Sequence, residues 1–396
     1  MISADKVKEL SRKYKEDVIR WRRHLHENPE LSYKEHDTSA YIAQTLRSFG
    51  LKPVTGIAET GVTVDIEGRN PGKKTAALRA DIDALPIQEA NDVPYKSKNQ
   101  GVMHACGHDV HTASLLGTTR ILRELSDSFS GTVRCIFQPG EEKNPGGASL
   151  LIGEGVLENP RPMSIVGQHV MPFLPVGKIG FREGMYMASS DEVYLRVIGK
   201  GGHGAAPELA VDPVVIAAHI VIALQQIVSR HASPKQPTVL TFGKMSAEGA
   251  TNIIPNEVTL AGTFRAMNEA WRTSGLERIK HMAEHIALGM GGTCEVTISR
   301  GYPYLENNPV LTRRARAAAE EYVGKDNVVD MDITLGSEDF AFYSHIVPAT
   351  FYRLGTRNES TGKTSYVHTP TFDIDEDSLE IGPGLMAWIA LKELEG

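Results

Sequence analysis

The chain has 396 residues, 41% of them hydrophobic and 23% charged, and its 42 Lys plus Arg against 49 Asp plus Glu leave a net charge of −7. That length exceeds what one core usually supports, which is about 250–300 residues, so two domains are expected. The mild acidity argues against a nucleic-acid partner and against a polybasic membrane face. The opening MISADKVKELSRKYKED is charged and amphipathic, so no secretory signal is expected. No apolar run reads as approaching the roughly 18 residues of a spanning helix. Three cysteines (Cys106, Cys135 and Cys294) are too few for a disulfide framework, so a cytoplasmic, reduced chain is expected with Cys106 available as a thiol.

Residues 5–49 read as helical, broken at Glu27–Glu30 and restarting at Ser32. Short apolar runs follow at Gly61–Gly68 and Lys74–Pro86, and a helix follows the stretch MHACGHDVHTASLLG with Leu115, Leu122 and Leu125 on one face. GTVRCIFQP and MSIVGQHV read as buried strands. Strands alternating with helices predict an α/β domain whose sheet is mainly parallel, with helices on both faces. From Ala188 the pattern becomes β-α-β-β-α-β, an inserted ferredoxin-like α+β unit of about 115 residues. The first pattern resumes after Tyr302, with a helix at Pro309–Val323, a strand at Ala349–Gly355 and a last helix at Ser378–Leu394. The expected division is therefore 1–187 with 303–396 as the metal-binding catalytic domain, and 188–302 as a lid or dimerisation domain.

Chemistry concentrates at His104, Cys106, His108 and His111. Cys106 and His108, two residues apart around a glycine, can turn to one point, and thiolate with imidazole suits Zn²⁺ and its first-row neighbours. By themselves they are equally an odd polar loop. Other donors fall just past strand ends, where a parallel sheet places its ligands: Asp81 and Asp83, Glu141 and Glu142, His169 and His368. Each alone reads as a solvated loop residue; together they read as one site. Of two adjacent carboxylates, one can bind metal while the other faces the activated water and carries its proton.

LRADIDALPI, MHACGHDVHTA, QPGEE, GQHV, GGHGAAP, TNIIPNE, GSEDFAFY and VHTPTFD follow one another in an order that resembles the aminoacylase/carboxypeptidase-type metallo-amidohydrolases. The branch most similar is that of the N-acyl-amino-acid amidohydrolases, which includes hippurate hydrolases, N-acetyl-amino-acid deacetylases and indole-acetyl-amino-acid hydrolases. The resemblance implies a zinc-peptidase-like domain with two divalent ions (Zn²⁺, Mn²⁺, Ni²⁺ or Co²⁺), with Cys106 bridging and His108, Glu142, His169 and His368 completing the set. It implies Glu141 as general base and Asp81 as the acid that steers a ligand imidazole. It also implies that His203 polarises the scissile carbonyl, from a partner subunit or after closure. Asn252, Arg265 and Glu338 are candidates for holding the substrate. His24, His26, His104 and His111 are left out of the ligand set. The implied substrate is a small N-acyl amino acid, and a homodimer through the inserted domain is expected. The competing readings are a dipeptidase or exopeptidase on the same scaffold, and a metal-occupied binding protein without catalysis.

Overall fold

The computed structural model describes residues 2–72 and 74–395. The chain divides into two compact units, Met1–Tyr186 with Glu306–Ile333 and Asp339–Gly396, and Met187–Leu305 with Thr334–Glu338. Each has its own apolar core.

The larger unit is built on an eight-stranded sheet. Its four central strands, Thr132–Gln138, Thr75–Asp81, Ser164–Pro175 and Ala349–Arg357, run parallel. Gly61–Glu67 and Ile179–Phe181 flank them antiparallel, so the sheet is mixed at its margins and parallel where the site lies. Every residue of Thr75–Asp81 and Thr132–Gln138 is buried, as strands covered on both faces must be. Helices Ala4–Glu27, His108–Glu124 and Ser378–Glu395 pack on one another over the sheet. The first is capped by the Ser3 hydroxyl, which accepts from the Lys6 N–H, and buries Val7, Leu10, Tyr14, Val18, Trp21 and Leu25 along one stripe. The second helix begins at His36 rather than at Ser32, because Tyr33 takes a left-handed φ of 63° that no helix continues.

The smaller unit has strands Asp191–Ile198, Thr238–Ala247, Glu257–Ala266 and Thr293–Arg300, with helices Pro213–Gln226 and Glu269–Gly289 on one face. The four strands are all antiparallel, with Glu257–Ala266 and Asp191–Ile198 central, which is the ferredoxin-like arrangement. Val193, Leu195 and Val197 point inward on alternate residues. One segment corrects the sequence reading. Pro213–His231, 19 residues with a mean hydropathy of 1.5, is long and apolar enough by length and composition to cross a membrane. Val, Ile and Ala outweigh its few polar residues. Its inner face (Ile216, Ala217, Ile220, Leu224 and Ile227) is buried in this unit's core, while Val214, Val215 and Ile222 are exposed.

Candidate metal centre

Neighbouring parallel strands end at one level. Asp81 pairs with Gln138, and Arg79 pairs with Gly167, so two residues on Asp81 and His169 stand side by side. The crevice beyond these carboxyl ends receives the turn carrying Cys106. Gly107 makes that turn possible: its φ is +82°, and a Cβ there would meet Val170 Cγ2 at 2.6 Å. Cys106 and His108 are thereby set on the two sides of a helix start, both buried.

His108 and His169 are each held through Nδ1, which leaves Nε2 free on the side of Cys106. His108 Nδ1–H donates to the Asp83 carbonyl at 2.9 Å, with the Asp83 carboxylate at 3.1 Å. His108 Nε2 is buried and has no hydrogen-bond partner. His169 Nδ1–H donates to the Val170 carbonyl at 2.7 Å, which turns Nε2 to within 3.5 Å of Cys106 Sγ. His368 has a left-handed φ of 61° and is pinned by its backbone N–H on the Ala105 carbonyl at 2.7 Å. Its Nε2 lies 3.1 Å from Glu142 Oε1, which in turn is 4.0 Å from His108 Nε2. Cys106 with His108 and His169, Cys106 with Glu142 and His368, and His108 with Glu141 and Glu142 each bring their donor atoms within 4.8 Å of one another. These donors fit a cation: fixed tautomers, one orphaned buried nitrogen, a thiol, and carboxylates with too little positive charge between them. The electrostatics agree. His108 is 1% exposed; burial would lower its pKa, but Asp81, Cys106 and Asp83 outweigh that and raise it well above the ordinary value. The anions around this ring favour positive charge there.

The acid that steers His108 is Asp83, not Asp81 as expected. Asp83 also accepts from the Glu142 N–H at 3.0 Å and from the Ser32 hydroxyl at 2.6 Å. Burial would raise its pKa, but the His108, Ser32 and Glu142 hydrogen bonds hold it below the usual carboxylate range. Asp81 instead binds His111 Nδ1 at 2.6 Å and Arg79 at 2.6 Å. His111 Nε2 accepts from the Val170 N–H at 2.9 Å. Both of its nitrogens are therefore engaged, and His111 braces the strand beside His169 rather than offering a ligand atom. His104 is buried, neither of its ring nitrogens has a partner, and burial drives its pKa down to about 4. His24 stacks on Tyr41, with ring centroids 3.9 Å apart. His26 is buried between Asp109 at 2.7 Å and Glu89 at 3.1 Å.

Glu141 is buried and accepts from the Asp339 N–H at 3.4 Å. The loop that carries it is clamped by residues the sequence reading passed over. Glu35 accepts from the Gly140 N–H at 2.8 Å, and the Tyr33 hydroxyl donates to the Lys143 carbonyl at 2.7 Å. The Tyr33 ring lies so close over Gly140 that a Cβ there would meet it at 2.3 Å. The sequence reading took Ser32–Glu35 as the start of the second helix, which hid both residues.

In the smaller unit, His203 and Asn252 share a ribbon: His203 pairs with Ile253, and the Gly204 N–H donates to the Asn252 carbonyl at 2.8 Å. His203 Nδ1 accepts from the Ala205 N–H at 3.0 Å, so its exposed Nε2 carries the hydrogen and can donate. Arg265 is on the strand Glu257–Ala266. It lies eight residues along the strand from Glu257, about 26 Å, and donates to the Thr263 hydroxyl at 2.7 Å. Glu338 is buried in the short Thr334–Glu338 segment that returns to this unit.

Residues 77–392 match Peptidase family M20/M25/M40. The chain is 39% identical over 391 residues to thermostable carboxypeptidase 2 of Saccharolobus solfataricus, with 98% of each covered. It is 38% identical over 362 residues to N-acetyl-L-cysteine deacetylase of Bacillus subtilis, covering 91% of this chain and 84% of the other. The crystal structure of Bacillus subtilis YXEP protein, described as a dinuclear metal binding peptidase, superposes with a TM-score of 0.84 at 35% identity, covering 97% and 99% of the two chains. This chain belongs to Peptidase family M20/M25/M40.

Proposed function

We propose that this protein is a metal-dependent amidohydrolase that cleaves N-acyl amino acids to a carboxylate and a free amino acid. One observation carries the reading: three overlapping donor triads, Cys106 with His108 and His169, Cys106 with Glu142 and His368, and His108 with Glu141 and Glu142, share Cys106, His108 and Glu142 and each keep their donor atoms within 4.8 Å. Two divalent ions held there, of the Zn²⁺, Mn²⁺, Ni²⁺ or Co²⁺ type, supply Lewis-acid polarisation and a water of lowered pKa. Glu141 then takes the proton of the attacking water and delivers it to the leaving nitrogen. His203, a donor through Nε2, is proposed to hold the carbonyl oxygen as charge develops on it, with Asn252 beside it. Arg265 remains a candidate for the substrate's carboxylate, and Glu338 a candidate for the lip of the pocket. The deacetylase relative supports the acyl-amino-acid reading, and the carboxypeptidase relative keeps peptides in the assay. The test is a panel of N-acetyl and N-benzoyl amino acids against dipeptides, with and without chelator. Chelator-sensitive turnover fastest on the acylated amino acids is expected; faster dipeptide cleavage overturns the assignment.

Metal binding should release protons. Burial and the Glu142 carboxylate push the Cys106 thiol up, and hydrogen bonds to Cys106 and Glu142 push His368 up to about 10. Ligation needs the thiolate and the neutral ring, so affinity should fall as pH falls through the range below about 10. Calorimetric titration with Zn²⁺ in buffers of different ionisation heat should read proton release, and equal heats in all of them would contradict this ligand set.

The smaller unit is proposed as the dimerisation unit. Val214, Val215 and Ile222 are exposed on one helix, and Thr238–Ala247 is an edge strand. Ile222→Lys should shift a dimer to monomer in sedimentation at micromolar concentration.

A further inference from the structure

The helix Glu269–Gly289 carries the sequence HMAEH, with His281 and His285 one turn apart and both exposed. Residues at that spacing share a helix face. Here the two rings are nearly parallel, with centroids 3.9 Å apart and planes inclined by 25°. His285 Nδ1 lies 2.8 Å from the His281 carbonyl, and a carbonyl can only accept, so Nδ1 carries the hydrogen and Nε2 the lone pair. This is how metal-binding imidazoles are usually fixed: one nitrogen donates to a carbonyl and the other faces outward. Two imidazole nitrogens on one tetrahedral ion stand about 3.3 Å apart, given bonds of about 2.0–2.1 Å. The rings, now stacked, would have to splay by rotation about χ1 and χ2 for both lone pairs to meet on one ion. His281, though not His285, also lines an open groove of ≈ 580 Å³ together with His231, Glu277 and Arg278.

We infer that His281 and His285 form a metal site of their own on the smaller unit, taking a late first-row divalent ion such as Zn²⁺, Cu²⁺ or Ni²⁺. The site shares no residue with the buried cluster. Imidazole donors exclude Mg²⁺ and Ca²⁺, which take oxygen. Two H-x-x-x-H imidazoles on one helical face are the same pairing that holds zinc in helix-borne metallohydrolase motifs. Here the pair is solvent-exposed and its other ligands are water or groove residues. The site should therefore exchange its ion faster than the buried centre and surrender it to a weak chelator first.

The experiment is equilibrium dialysis of the full-length protein against Zn²⁺ at neutral pH, beside the His281→Ala/His285→Ala double variant. The unsubstituted protein should bind one more Zn²⁺ per chain than the variant, while hydrolysis of N-acyl amino acids by the two is equal. Equal Zn²⁺ uptake overturns the inference. A second readout needs no variant: with the buried centre filled, one further equivalent of Cu²⁺ should broaden the ring-proton resonances of His281 and His285. Resonances left sharp at that point also overturn it.

Discussion

Glu141→Gln should lower kcat by about 10²–10⁴-fold, the usual worth of a positioned general base, while metal content and KM stay close to those of the unsubstituted enzyme. Glutamine keeps the shape of the side chain and can still accept from the Asp339 N–H, so the loop behind it has no reason to move. What it loses is the ability to carry a proton from water to the leaving amine. Steady-state kinetics on an N-acyl amino acid, paired with elemental analysis, reads both halves. A variant within tenfold of full turnover would remove Glu141 from the reaction, and a variant that loses its metal would make it a ligand instead.

Arg22→Met should destabilise the larger unit by about 3–5 kcal/mol, the cost of breaking a buried ion-pair network on one side. Arg22 is fully buried and donates to Asp109 and to Asp373, each at 2.8 Å. Methionine fills similar volume and leaves Asp109 with His26 and Asp373 with Lys363 and Tyr95, each without its buried guanidinium. Burial alone would raise the pKa of each; Arg22, helped by His26 at Asp109 and Lys363 at Asp373, outweighs it and holds both far below the ordinary carboxylate range. A depressed folded-state pKa gives stability that is present above the unfolded value of about 4 and is lost as pH falls below it. The unsubstituted protein should therefore weaken steeply below about pH 4. The variant should start less stable at pH 7 and show a flatter decline. Urea unfolding at pH 7 and in the acid range measures both, and a loss under 1 kcal/mol at pH 7 would contradict the network's importance. Because Asp109 follows His108 directly, the same network fixes the first turn of the helix that carries that imidazole.

The parts legible in the sequence share a local cause. Strand runs such as AALRA and VRCIF are apolar at nearly every residue, which only a strand buried on both faces tolerates, and the central parallel sheet follows. The groups of the candidate centre stood out because cysteine, histidine and paired glutamates at successive strand ends have little use in a core. What was misread depends on the direction in which a side chain leaves the backbone. Asp81 and Asp83 lie two residues apart at the same strand end, and nothing in their order tells which one reaches His108. In the fold Asp81 still belongs to the strand and meets Arg79 and His111, whereas Asp83 lies past it and turns to His108, Ser32 and the Glu142 N–H. Tyr33 and Glu35 were missed for a similar reason: they act on Gly140 and Lys143, more than a hundred residues away.

By itself the sequence determined the pattern of strands and helices, the inserted second unit and the set of groups able to hold a cation, because periodicity and residue chemistry are properties of short stretches. The tertiary structure alone decided that Asp83 rather than Asp81 bonds the His108 ring, that His108 and His169 are held through Nδ1, and that His203 is a donor through Nε2. Those outcomes rest on hydrogen bonds between groups that meet only after the chain has folded, and a bond of about 3 Å is set by the register and pleat of strands distant in sequence.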